Sequence, residues 1–125
     1  MEAVGMPFIK VKVGCHITDE QEKALKTRFG KAISLIPGKS EEYLLLEFED
    51  NRRLWLRGEN APPVAYIEAA IFGNEDHRGF DDFTSEATSA FTEVLGIRPD
   101  RVYIKFEDIT AWGVAGRYID RALFG

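Results

Sequence analysis

The chain repeats itself. Shifted by 58 residues, Gly38 falls on Gly96, Tyr43 on Arg101, and Ile9, Val11 and Val13 fall on Ile67, Ala69 and Ile71. Each half reads strand, helix, strand. Such a repeat leaves few folds open, because two strands joined through a helix run parallel in a right-handed crossover and carry the helix on one sheet face. The expected class is α/β (α+β): two β-α-β repeats forming one four-stranded mixed sheet with both helices on a single face.

Residue patterns place the elements. Ile9, Val11 and Val13 alternate with Lys10 and Lys12, the mark of a strand with one buried face. Thr18-Asp19-Glu20-Gln21 predicts a capping box with Thr18 as N-cap and Gln21 at N3. Leu25, Phe29, Ala32, Ile33 and Ile36 follow at helical spacing, and Pro37-Gly38 stops the helix. Residues 43–49 predict the second strand, with Leu44, Leu46 and Phe48 on one face. Asp50-Asn51 predicts a turn, residues 53–57 a short strand and 58–63 a loop. The second half predicts a strand over 64–72, a polar loop over 73–79 and an amphipathic helix over 80–95 with Gly96 as its C′ glycine. A strand over 101–107 follows, with Val102, Ile104 and Phe106 on one face, and the tail from Trp112 shows no clear period.

A length of 125 residues fits one domain, expected over 7–125, with residues 1–6 as an amino-terminal extension or a misplaced start. Sixteen basic against 21 acidic residues leave a net charge of −5, which argues against non-specific nucleic-acid or anionic-membrane binding. The single Cys15 forms no intrachain disulfide, so a reducing, cytoplasmic setting is expected and Cys15 reads as a small packed thiol. No apolar run reaches the ~20 residues of a membrane span, and the first residues lack the features of a signal peptide.

The sheet face away from the helices would carry Phe8, Lys10 and Lys12; Tyr43, Leu45 and Glu47; Tyr66, Glu68 and Ala70; and Tyr103, Lys105 and Glu107. Phe8, Leu45, Tyr66 and Tyr103 are too apolar together for a free surface, so a partner copy is expected to cover them, with the mixed charges lining a wet or ion-paired interior.

Several chemistries lack their motifs: there is no GxGxxG, no P-loop and no nucleophile elbow. His16 and His77 stand at no ligand-like spacing, so no metal and no cofactor is expected. Met6-Pro7 stands out at the head of the first strand. Proline is tolerated there simply because the first N–H need not pair. If methionine removal leaves Pro7 first, its nitrogen becomes a secondary amine, and apolar walls with nearby cations lower its pKa toward neutrality. Such an amine can act as a general base, with the cations stabilising a developing enolate. Candidate cations are Lys39, just after the Pro37-Gly38 stop, and Lys105, two residues after Tyr103. A helix-end cation and a solvated strand lysine explain the same two residues equally well from spacing alone.

Pro7-Phe8-Ile9, Pro37-Gly38-Lys39, Ile71-Phe72-Gly73 and, most specifically, Pro99-Asp100-Arg101-Val102-Tyr103-Ile104 occur in the order seen in the macrophage migration inhibitory factor family of the tautomerase superfamily, which this chain resembles from Pro7 to about Trp112. The resemblance implies the tautomerase fold, a homotrimer with its pocket between subunits, and keto–enol tautomerisation of small anionic 2-oxo acids such as phenylpyruvate. By the same resemblance Pro7 is the catalytic base and Lys39 binds the substrate carboxylate. Ile71 lines the pocket, Tyr103 enters it from the neighbouring subunit, and Trp112 or Val114 forms its apolar rim. Lys105 stands where several relatives carry asparagine, and the CxxC of some animal members is missing. If residues 1–6 stay attached, the Pro7 nitrogen is an amide, and the resemblance then implies a non-catalytic binding or signalling trimer. A third reading keeps the proline but hydrates, dehalogenates or decarboxylates an unsaturated acid, for which such relatives usually place a carboxylate to activate water. No obvious one stands out in the sequence.

Overall fold

The computed structural model describes residues 7–120 and 122; the expected extension over 1–6 lies outside the described residues. Strand β1 (Phe8–Val13) leads to helix α1 (Asp19–Ala32), strand β2 (Leu45–Glu49), strand β3 (Ala65–Phe72), helix α2 (Phe80–Leu95) and strand β4 (Val102–Ile109). A hairpin of β5 (Ala111–Val114) and β6 (Arg117–Asp120) follows. The four-stranded sheet has the order β2-β1-β3-β4. β1 and β2 are parallel, β3 and β4 are parallel, and the two halves meet antiparallel through β1 and β3. The predicted mixed sheet with two helices on one face is the fold observed.

Local chemistry explains the helix ends. The Thr18 hydroxyl accepts from the Gln21 N–H at 3.1 Å, and Gln21 Oε1 accepts from the Thr18 N–H at 3.0 Å, so the capping box is complete. Helix α2 ends at Gly96 with φ of +71°, a left-handed conformation that glycine adopts without a Cβ penalty. Odd-numbered residues of β1 and β3 face the helices, and Ile9, Val11, Val13, Ile67 and Ala69 are fully buried. Phe29 of α1 sits at the centre of the core, its ring 6.4 Å from Phe48, 6.3 Å from Phe83 and 5.5 Å from Phe91.

Four expectations are corrected. Helix α1 ends at Ala32 and a 3-10 turn over Ile33–Leu35 follows, so Pro37-Gly38 stops that turn and not the α-helix itself. Residues Glu41–Tyr43 form a 3-10 turn, so β2 begins at Leu45 and Tyr43 is not on the sheet. The predicted strand over 53–57 reduces to one antiparallel bridge, Leu56 to Glu59, because Arg57 and Gly58 both take positive φ and fold the chain back at once. The tail, read as periodless, contains the β5–β6 hairpin. Ala115 and Gly116 turn it with φ of +53° and +78°, the double positive φ of a tight hairpin turn.

The opposite sheet face carries the residues expected there, apart from Tyr43. Leu45 is 63% exposed and Tyr103 53%, while Phe8 and Tyr66 are half-buried. Between them, Glu47, Lys10, Glu68 and Lys105 form one cross-strand row by register. Glu68 pairs with Lys105 at 3.4 Å and with Lys12 at 4.0 Å, so these charges pair within one sheet.

Candidate active site

Pro7 is buried at the entrance to β1, and its carbonyl accepts from the Leu45 N–H at 3.0 Å. One step beyond the Phe8–Ala70 pair, the antiparallel register sets Pro7 across from Ile71. Ile71 is 1% exposed and lies at the carboxyl end of β3. The next residue, Phe72, receives Lys39: the ammonium donates to the Phe72 carbonyl at 2.6 Å. Pro7, Ile71 and Lys39 therefore converge at one end of the sheet, although 64 residues separate Pro7 from Ile71 (71 − 7).

Lys39 is no ordinary helix-end cation. It is a buried charge, and desolvation lowers its pKa to about 8, the Glu75 carboxylate partly opposing the fall. It stands on the turn after Gly38 and beside a cleft of ≈ 550 Å³ formed by Pro37, Gly38, Gly73, Asn74, Glu75, Asp76 and Arg78. An ammonium ion short of water, with one hydrogen bond to the Phe72 carbonyl among the described residues and the Glu75 charge nearby, has three N–H donors to share with an anion.

The other candidates do not join them within one chain. Tyr103 pairs with Tyr66, five residues back from Ile71, about 16 Å along the strand at ~3.3 Å per residue. Lys105 pairs with Glu68 across the strands and is bound to its carboxylate, which raises the lysine's pKa. Both residues are exposed on the face away from the helices. Trp112 and Val114 belong to β5, which leaves β4 at the Pro7 end, since Ile109 is paired with Phe72. Both are half-buried.

The structure adds three residues that the sequence did not single out. Asn74 and Glu75 stand in the loop beside Lys39, and Asp108 pairs in register with Ile71. A carboxylate thus does lie near the Pro7 end. Asp108 is held by His77, whose Nε2 lies 3.0 and 3.1 Å from its two oxygens, with the imidazole stacked on Phe80 at 4.9 Å. The signal for Asp108 was present, since it continues the Val102, Ile104, Phe106 alternation with a charge where a core residue is due. The histidines are exposed, with His16 on Asp50 at 3.0 Å. Cys15 is a free, half-buried thiol whose pKa is pushed up by burial and then by Asp50, the reverse of an activated cysteine. Among the described residues no helix is long and apolar enough to cross a membrane.

Comparison with known proteins bears on the same scaffold. The crystal structure of Leishmania major MIF2 superposes with a TM-score of 0.83 at 23% identity, over 91% of this chain and 97% of that one. A macrophage migration inhibitory factor homologue from Prochlorococcus marinus gives 0.77 at 25% identity, over 89% and 97%. A structure of Pt0534 inactivated by 2-oxo-3-pentynoate gives 0.79 at 16% identity, over 94% and 98%. No curated protein matches the sequence. The sequence model of the family described as macrophage migration inhibitory factor (MIF) matches residues 6–118, from the residue before Pro7 to within the final hairpin. The chain belongs to the macrophage migration inhibitory factor family.

Proposed function

We propose that this protein is a keto–enol tautomerase of phenylpyruvate-like 2-oxo acids, with the Pro7 amine as general base when Pro7 is the first residue. The observation that carries this reading is the convergence of Pro7, Ile71 and the buried Lys39 at one sheet end. A secondary amine beside apolar Ile71 and a desolvated ammonium ion has its protonated form disfavoured twice over. It takes a proton from C3 of the keto acid, the 2-oxygen gains a proton from solvent and the protonated amine gives its own up to solvent; in the reverse direction the amine returns a proton to C3. Lys39 holds the substrate carboxylate, and its charge stabilises the enolate as negative charge builds on the 2-oxygen. The neighbour Pt0534 is inactivated by a 2-oxo acid, which fits a pocket of this kind on this scaffold.

The assembly proposed is a homotrimer in a reducing, cytoplasmic setting. Tyr103 and Lys105 stand too far from Pro7 in their own chain, so a neighbouring copy supplies them, and Trp112 and Val114 form the apolar rim. The uncovered Leu45 and Tyr103 face supports association. A second reading follows from Met6: with residues 1–6 attached, the Pro7 nitrogen is an amide without a basic lone pair, and the same trimer binds without catalysing.

Two purified forms decide between them, one beginning at Pro7 and one retaining residues 1–6, each followed by ultraviolet absorbance during phenylpyruvate ketonisation. Activity in the Pro7 form alone, lost in its Pro7→Gly variant, is the expected result. Equal rates in both forms, or an unchanged Pro7→Gly rate, would remove Pro7 as the base. Inactivity of both forms would favour the binding trimer.

A further inference from the structure

Two turns at the Pro7 end are laced by a reciprocal pair of hydrogen bonds. Lys39 Nζ donates to the Phe72 carbonyl at 2.6 Å, and Asn74 Nδ2 donates to the Pro37 carbonyl at 3.1 Å. Each bond runs from a side chain of one turn to the backbone of the other, with the partners two residues apart on both. Asn74 is 8% exposed and lines the ≈ 550 Å³ cleft. The bond to Pro37 commits the amide nitrogen and so assigns the orientation of the group. Its oxygen, Oδ1, is buried and has no hydrogen-bond partner among the described residues. An unpaired buried acceptor is costly, so a group of this kind calls for an explanation, and a ligand donor is one.

We propose that Asn74 Oδ1 accepts the 2-hydroxyl of the enol tautomer, making Asn74 the residue that distinguishes enol from keto substrate. The inference rests on the 2-oxo acid reading of this pocket and deepens it. In the enol, carboxylate and hydroxyl sit on adjacent carbons, C1 and C2. Lys39 and Asn74 act from two turns that are themselves tied together, so an anion on the first places a C2 substituent beside the second. The enol offers O–H to Oδ1. The keto form offers only a carbonyl oxygen, which sets lone pair against lone pair. The site thus takes a carboxylate with a hydrogen-bond donor on the next carbon, and it discriminates by leaving the wrong tautomer unpaired.

Calorimetric binding of two stable compounds tests this without any turnover. Phenyllactate carries the 2-hydroxyl on a carboxylic acid, and 3-phenylpropanoate lacks it. The unmodified protein should prefer phenyllactate by about five- to tenfold, the worth of one net hydrogen bond. Asn74→Leu should abolish that preference while leaving 3-phenylpropanoate affinity within about twofold. Asn74→Asp should weaken both compounds, because its charge opposes their carboxylates, yet keep the preference, because an acceptor remains. Equal affinity of the unmodified protein for the two compounds, or a parallel loss of both in Asn74→Leu, would overturn the proposal and leave Asn74 as a tie between turns. Should Asn74→Leu fail to fold, Asn74→Ala removes the same acceptor, and a preference that persists in it would overturn the proposal. The outcomes separate from the tautomerase reading: a protein that turns over phenylpyruvate without this preference loses the Asn74 assignment alone, and one that shows the preference without turnover loses the catalytic reading alone.

Discussion

Lys39 shows how one residue's environment sets its chemistry. Burial lowers its pKa to about 8, so its charge is present at neutral pH and lost just above it. If that charge binds the substrate carboxylate, KM for phenylpyruvate should be flat below pH about 8 and then climb roughly tenfold per pH unit, since only the ammonium form binds. Lys39→Ala should raise KM more than it lowers kcat; a flat KM would leave Lys39 as a tie to the Phe72 carbonyl only. Glu75 opposes the shift, so the sign for Glu75→Gln is fixed: desolvation then acts with less opposition, the Lys39 pKa falls further, and the alkaline rise in KM begins at lower pH. An unmoved KM profile would show that Glu75 does not face Lys39 in solution. Gly79 is a structural counterpart at the same scale. It has φ of +82°, and a Cβ there would collide with the Leu35 carbonyl oxygen, a backbone atom that cannot swing aside. Gly79→Ala should therefore cost roughly 2–4 kcal/mol, the left-handed penalty plus overpacking, read as a lowered denaturant midpoint. Pro7 and Lys39 were legible in the sequence as punctuation at element boundaries. Asn74 was not, because an orphaned oxygen is defined by everything folded around it.

At the scale of elements, the sequence was most reliable where local chemistry decides. The capping box of α1 follows from side chains within its first turn, and the end of α2 from Gly96, which takes the left-handed conformation there. Thr18→Ala removes the acceptor for the Gln21 N–H and should cost about 1 kcal/mol in thermal or denaturant unfolding; a change near zero would mean that water replaces the cap without loss. The failures share a cause as well. Residues 53–57 carry strand-like side chains, but Arg57 and Gly58 reverse the chain before a partner strand can form. The β5–β6 hairpin pairs only four residues on each side, too few to leave a period in the sequence, and its turn at Ala115-Gly116 lacks the asparagine-glycine signature. The buried Arg101 belongs to the block that most strongly suggested the family. It donates to the Pro62 and Glu59 carbonyls at 2.7 and 3.0 Å, so within one chain it anchors the loop before β3.

At the scale of the whole molecule, the face away from the helices carries apolar side chains that a single chain leaves uncovered. Leu45 is 63% exposed, so a charge there should hardly disturb the single-chain fold. In the proposed trimer the same residue is covered. Leu45→Glu should therefore sediment as a smaller species with unchanged far-ultraviolet circular dichroism, and it should lose activity because Tyr103 no longer reaches a neighbour's pocket. An active monomer would sink both the shared pocket and the assembly. By itself the sequence determined the repeat, the two helices with the capping box of α1 and the glycine end of α2, and the division of the sheet into a core face and an apolar outer face. Those are properties of periodicity and of neighbours a few residues apart. Only the tertiary structure decided that Pro7 meets Ile71, that Lys39 reaches across to Phe72 and that Asn74 keeps an unpaired oxygen beside them. The antiparallel seam between the two halves sets that register, and contacts between residues so distant in the chain leave no periodic trace in it.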